Sequence, residues 1–258
     1  GGAARSSYRI HHSLLKAEVN SRMWVNKSRT DDQTVEKPVG RIERILAKLR
    51  SPLISNSLVK TLKTKNMIIH SPSVLSSRWV KLINGSDADI VHLHWIQNEM
   101  LSISDITKIK KPIVWTLHDM WAFCGAEHYT EDHRWRDGYL DNNRPAYESG
   151  FDLNRWTWKR KEKYWKTPIQ IVTPSKWLAE CVSESMLMCN WPLNVIPYPI
   201  DTDFWKPISK KIMRERLNLP KDVPLLLFGA FDSEKDQRKG YDLLLSTLEH
   251  LKANSKFQ

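Results

Sequence analysis

Apolar residues recur along the chain in two rhythms. Some runs are apolar at nearly every position and rich in β-branched or aromatic residues: ADIVHLHW (Ala88 to Trp95), PIVWTLHD (Pro112 to Asp119), IQIVTPS (Ile169 to Ser175), LNVIPYP (Leu193 to Pro199) and VPLLLFGA (Val223 to Ala230). Such runs predict strands buried on both faces. SRMWVN from Ser21 and NMIIHS from Asn66 predict shorter strands. Elsewhere apolar residues fall three and four apart, as in Arg5 to Val19 (Tyr8, Ile10, Leu14, Leu15) and Gly40 to Leu62 (Ile42, Ile45, Leu46, Leu49), where Pro52 breaks or kinks the run. The same helical period marks Ser71 to Ile83, Leu153 to Lys166, Ser175 to Ser185, Lys210 to Leu217 and Tyr241 to Ala253. Strands alternating with helices are the pattern of βαβ units, so the expected fold class is α/β, a doubly wound parallel sheet. Ligands of such sheets bind beyond the carboxyl ends of the strands, which directs the search to the residues just after each run.

Two stretches break the rhythm. Met120 to Asp152 is rich in Trp, Tyr, His, Arg and Asp without a clear period, and connections that long are usually functional or mobile. At PYPIDTDFWKPIS, Pro197, Pro199 and Pro207 surround a polar turn, which predicts a linker between a first domain, 1–200, and the start of a second, 201–258. A length of 258 residues with 41% hydrophobic residues and 12 Trp excludes low-hydrophobicity disorder, so the net charge of +11 is expected on a folded surface. Three Cys without a C-x-x-C pair argue against a disulfide framework or a cysteine zinc site, and fit a reducing compartment. No stretch approaches the roughly 18 uncharged apolar residues of a membrane helix. The first residue is Gly1 rather than Met, so a fragment or a processed chain is expected.

Against that frame of strands and helices, several groups carry candidate chemistry. Gly1 and Gly2 lead straight into a helix; without side chains they let backbone approach an anion, and the helix N-terminus offers free N–H groups and partial positive charge to a phosphate. His92 and His94 alternate on one strand and share a face, which suits either an H-x-H metal pair or histidines packing at a cleft. His118 and Asp119 end another strand, where a His can exchange protons near neutral pH and a neighbouring carboxylate can orient it. Arg238 and Lys239 open a helix, where cations oppose the dipole; the placement suits a clamp on a phosphate or diphosphate, or a solvated basic turn. Leu153 to Lys166 interleaves six cations with Trp156, Trp158, Tyr164 and Trp165; this reads as a core-facing aromatic stripe with a solvated basic back, or as a surface for anionic membranes. No nucleic-acid-binding signature accompanies it, and no nucleic acid is expected as a partner.

Taken in order, GGAAR, ADIVHLHW, PIVWTLHDMWAF, IVTPSKWLAE, NVIPYPIDTDFWKP, LLLFGAF and RKGYDLLL resemble the retaining family 4 glycosyltransferases of GT-B fold, mostly enzymes of bacterial polysaccharide or glycolipid assembly. The resemblance implies two Rossmann-like domains, the first receiving the acceptor and the second the nucleotide sugar. By the same resemblance, Gly1 and Gly2 match the glycine loop at the donor diphosphate, His118 the histidine facing the transferred sugar, and Lys239 the lysine of the K-G motif. VIPYPIDTDFW matches the I-P-N-G-x-D-x-x-x-F linker, with Tyr198 and Pro199 in place of Asn and Gly. Gly229-Ala230 stands where a G-R pair usually brings a phosphate-binding Arg, and Arg238 is the expected substitute. The strand before Gly1 and the later acidic motif for donor sugar and ribose are absent from the sequence, so the chain by itself is expected to transfer sugar poorly.

The expected activity is therefore hexosyl transfer with retention, from a nucleotide-sugar donor to a glycan or polyprenyl-linked acceptor, in the cytoplasm and peripheral to the inner membrane face. No cofactor or metal is expected: Arg, Lys and helix N-termini can stabilise a diphosphate leaving group, Asp201-Thr202-Asp203 falls in the linker, and Cys124 stands alone where relatives carry more Cys. Acceptor contacts are expected from Asp119, Arg134, Trp135, Arg136 and Tyr139. Two other readings stay open, an α/β metallohydrolase using His92, His94 and His118, and a non-catalytic basic module that binds carbohydrate or membrane.

Overall fold

The computed structural model describes residues 1–37, 49, 54–230 and 236–254. The chain divides into two compact units, residues 2–199 and residues 200–258 together with Gly1.

The first unit begins with α1 (Gly2–Lys16), which ends where Glu18 turns to positive φ. Its docking side is polar: Ser6, Ser7 and His11 are buried, and His11 bonds the hydroxyls of Ser21 and Thr34 at 2.8 Å each. The apolar positions Tyr8, Ile10, Leu14 and Leu15 are only half covered. β1 (Met23–Trp24) pairs in parallel with β2 (Val35–Glu36). Of the helix predicted from Gly40 to Leu62, residues 40–48 and 50–53 lie outside the described residues; a short helix α2 (Asn56–Val59) follows, and Leu62 belongs to a strand, β3 (Leu62–Lys63).

The helix predicted from Ser71 starts later, as α3 (Trp79–Gly85). The reason is that side chains take the backbone bonds of residues 72–77. Glu99 accepts from Val74 N at 2.9 Å and Leu75 N at 2.6 Å, Asp105 accepts from Ser77 N at 2.7 Å, and Arg160 donates to the carbonyls of Pro72 and Ser73. The strand predicted at Asn66 to Ser71 does not form: it holds a single antiparallel bridge, His70 to Glu127, and Met67 is 87% exposed.

The centre of the unit is a four-stranded parallel sheet in the order β4 (Val91–Leu93), β5 (Ile113–Thr116), β7 (Gln170–Thr173), β8 (Leu193–Val195). Leu93 lies opposite Trp115, Thr116 opposite Val172, and Thr173 opposite Val195. The intervening β6 (Ser149–Gly150) pairs antiparallel with β3. Around the sheet are α4 (Ile103–Ile106), α5 (Arg134–Asp137), α6 (Leu153–Tyr164) and α7 (Lys176–Glu184). Side-chain oxygens start three of these helices: Ser102 and Asp105 form a reciprocal capping box on α4, Asp152 caps α6 through Arg155 N, and Ser175 caps α7 through Leu178 N. α7 packs on β7 and β8, and α4 packs on α6.

The core is aromatic. Trp115, Trp121 and Trp165 meet edge to face with centroids 5.4–6.3 Å apart, and their indole N–H groups donate to the carbonyls of His94, Ser71 and Ile103. The irregular connection from Met120 is part of this core, since residues 120–126 are buried. It passes so close to α6 that a Cβ on Gly125 would lie 2.5 Å from the Asn154 carbonyl oxygen, which only glycine avoids.

The second unit holds α8 (Lys210–Arg216), a 3-10 turn Gln237–Lys239 and α9 (Tyr241–Ala253). Arg214 is buried and gathers the carbonyls of Pro220, Lys221 and Val223. The strand predicted at Val223 to Ala230 is not formed, and Leu227 is 95% exposed. Among the described residues no neighbouring strand takes its backbone bonds, so the run has apolar composition without a sheet to enter.

Candidate functional site

Parallel strands β4 and β5 end side by side, and the residues that follow them, His94 and His118, meet there. His94 Nδ1 lies 3.1 Å from His118 Nε2, and the two rings are 5.3 Å apart. His92, two residues earlier on the same strand, has its ring centroid 4.2 Å from that of His94, tilted by 36°, and bonds the Thr116 hydroxyl at 2.7 Å. On its other side His118 Nδ1 is 2.6 Å from the Tyr198 hydroxyl, with the rings stacked at 5.4 Å and 21°. Helix α1 borders the cluster through Ser7, whose Oγ is 3.5 Å from His118 Nε2.

Burial sets the protonation of this cluster. It lowers the pKa of His118 to about 4, a shift that Asp119 opposes and His92 reinforces. It lowers His94 further, to about 2, with His92 and His118 adding to the effect, and lowers His92 as well. All three imidazoles are therefore neutral at pH 7. Tyr198 is pushed up to about 12, by burial first and then by Tyr129 and Asp119.

Asp119 does not face outward. One of its carboxylate oxygens accepts from His128 Nδ1 at 2.7 Å and Trp95 Nε1 at 3.2 Å, and the other from Trp121 N at 3.0 Å. His128 Nε2 in turn meets Ser71 Oγ at 2.9 Å. A Ser–His–Asp array results, but all three residues are buried and the array ties the 120–128 connection to residue 71. A cavity of about 10 Å³, room for about one water, lies among His94, Trp95, Gln97, Leu117, His118 and Asp119; the buried Gln97 Oε1 there has no partner among the described residues.

The other expected contacts separate into two groups. Arg134, Trp135 and Tyr139 are buried, which closes them to a carbohydrate and corrects the expectation of direct acceptor contact. Arg134 holds Asp132 at 3.2 Å and Glu148 at 3.0 Å and lies over the Tyr139 ring, while the Tyr139 hydroxyl donates to the buried Glu127. Buried charge and aromatic rings are built into one internal network here. Arg136 is the exposed member, paired with Glu184 on α7. Gly1 and Gly2 open the chain with nothing among the described residues within 4 Å of where a Cβ would stand. In the second unit Arg238 forks onto Asp236 with bonds of 2.9 and 2.7 Å, and Lys239 is exposed beside Gly240, whose φ is +65°.

Sequence reasoning gave Tyr198 no role beyond marking a departure in the linker, and it passed over Ser7 and Gln97. A tyrosine where the linker pattern has Asn was the available signal for the first. For the other two, neither period nor motif distinguishes them. Among the described residues no three His, Cys, Asp or Glu side chains are grouped so as to hold a metal ion, and no helix is long and apolar enough to cross a membrane.

The parallel sheet and the histidines beyond its carboxyl edge define a Rossmann-like α/β protein with its site at the strand ends. The family model for Glycosyltransferase Family 4 matches residues 1–204, and the chain belongs to that family. Its function is accordingly of the glycosyltransferase type, with a sugar donor and an acceptor as substrates. No curated protein and no solved structure matches the chain.

Proposed function

We propose that this chain serves the transfer of a hexosyl group, with retention and without a metal ion, from a nucleotide-sugar donor to a glycan or lipid-linked acceptor. The observation that carries the reading is His118, neutral and half-enclosed at the end of β5, with α1 against it through Ser7. The start of a helix offers free N–H groups and partial positive charge. A donor whose diphosphate meets the start of α1 at Gly1 and Gly2, with its sugar toward His118, fits that arrangement. Arg238 and Lys239 are the further phosphate contacts implied by the K-G motif. Arg136 is the acceptor-side residue whose exposure allows contact.

In the reaction the bond between the sugar's anomeric carbon and the diphosphate oxygen breaks, and the acceptor oxygen bonds that carbon on the same face. The acceptor proton passes to the departing phosphate, so His118 need not act as a base. Fixed donors and cations stabilise the charge of the leaving group. The excess of basic residues suits an acceptor held at an anionic membrane surface.

The test is nucleotide release from a panel of UDP-, GDP- and ADP-sugars by the protein expressed from its complete coding sequence. One donor should be turned over, the rate should survive EDTA, and His118→Ala should lower it by about a hundredfold or more. Release from no donor, or a rate abolished by EDTA and restored by a divalent ion, overturns the reading.

A further inference from the structure

We propose that Tyr198 fixes His118 as the tautomer protonated on Nε2, making the imidazole a hydrogen-bond donor toward the transferred sugar. The inference rests on the transferase reading for its purpose, but its chemistry follows from the bonds around the ring.

A neutral imidazole carries one N–H, so its two nitrogens have opposite roles. His118 Nδ1 faces the Tyr198 hydroxyl at 2.6 Å, and Nε2 faces His94 Nδ1 at 3.1 Å and Ser7 Oγ at 3.5 Å. The Ser7 hydroxyl donates to the Ala3 carbonyl at 2.8 Å, the usual back-bond of a serine inside a helix, so its proton is already used. Toward His118 the Ser7 oxygen can only accept. That calls for a proton on Nε2, and Nδ1 is then the acceptor for the Tyr198 hydroxyl. The protons then run in one direction, from Tyr198 to His118 to His94, with no donor facing a donor.

The stacked ring holds the same geometry mechanically, since Tyr198 lies 21° from the plane of His118. Tyr198 is thus a positioning residue. It sets both the plane of the imidazole and the nitrogen that carries the proton. A hydroxyl of the sugar arriving near Nε2 would take over from His94 a donor already oriented. The asparagine that the linker pattern usually has could not stack a ring on His118, so this chain arrives at its site by a different support.

The measurement is nitrogen NMR of the full chain labelled with 15N-histidine at neutral pH, with the His118 signals assigned by their loss in His118→Gln. The expected spectrum shows Nδ1 unprotonated and Nε2 protonated, and Tyr198→Phe, which keeps the ring and removes the hydroxyl, moves His118 toward a mixture of tautomers. In the same variant kcat for nucleotide release should fall about tenfold while KM for the donor changes less than about twofold, the signature of an interaction that matters after binding. A wild-type spectrum with the proton on Nδ1 overturns the proposal, as does a Tyr198→Phe spectrum identical to wild type. If the spectra come out as expected and no nucleotide sugar is turned over, the transferase reading fails and the tautomer assignment stands.

Discussion

The Lys161 ammonium is wholly closed off from water, and its three protons meet the backbone carbonyls of Trp121, Cys124 and Gly125. The ring of Trp121 lies 3.9 Å from the nitrogen, adding a cation–π contact. Burial still lowers its pKa to about 7, against the opposing pull of Cys124, Glu127 and Asp119. Lys161→Met relieves the buried charge but leaves three carbonyls without a donor, at about 1–3 kcal/mol each. The second effect is the larger, and urea unfolding at pH 7 should show a net loss of about 2–4 kcal/mol. The pH dependence has a definite sign: a group whose folded pKa lies below its unfolded value of 10.5 gives stability present above 10.5 and lost as pH falls through about 7. The gap between wild type and Lys161→Met should therefore widen from pH 7 to pH 9, and a gap that narrows contradicts the lowered pKa of the buried lysine. None of this was legible in LNRWTWKRKEKYWK, where charge and period assign Lys161 to a solvated back. The same holds for Arg134 and Tyr139: their residue types suit a sugar site, and only the fold shows that carboxylates wait for them inside.

At the scale of elements, legibility followed whether a segment's backbone bonds are satisfied by its own kind. The β4, β5 and β7 runs find parallel neighbours and are covered, as the sequence predicts; the run at Leu193 also finds a parallel neighbour, but as the edge strand β8 it leaves Asn194 and Val195 exposed instead of buried on both faces. The helices at Leu153, Ser175, Lys210 and Tyr241 begin where the pattern places them, the first two under side-chain caps. Asn66 to Ser71 has the composition of a strand, but Asn66 itself takes Ile68 N at 3.1 Å and reaches the Tyr129 carbonyl at 2.9 Å, which turns the chain away from a ladder. Residues 72–77 lose their helix to Glu99 and Asp105 in the same way. The capping box on α4 is thus shared with a distant segment, because Asp105 serves both Ser102 N and Ser77 N. Ser102→Ala should cost about 1–2 kcal/mol, as an N-cap does, and Asp105→Ala distinctly more because two segments lose a buried acceptor. Thermal unfolding of the two variants compares them directly; equal losses would mean that Asp105 acts only as a cap.

For the whole molecule, the division at residues 199 and 200 leaves a connection in which Phe204 and Trp205 are exposed. Exposed irregular segments are preferred sites of proteolytic nicking, and chymotrypsin cuts there after aromatic residues. Brief chymotrypsin treatment should cut first at Phe204 or Trp205 and leave a resistant fragment ending there, read by mass spectrometry. First cleavage inside residues 120–128 would contradict the buried course of that connection. The proline cluster marked this stretch in the sequence, and family membership covers it, since the match runs to residue 204. What the sequence did not disclose is how the irregular connection after β5 becomes part of the core instead of a surface loop: it contributes few apolar periods, and its order comes from Lys161, Arg134 and Gly125 acting across α6.

That dependence constrains how the molecule can change over generations. Residues 121–125 offer carbonyls that only a long cation can reach, and Gly125 admits no side chain against Asn154. A replacement of Lys161 strands the connection, and a reshaped connection strands the lysine, so neither step is neutral when taken first. Drift in this part of the protein must proceed by paired substitutions, and the two segments should be inherited as a block.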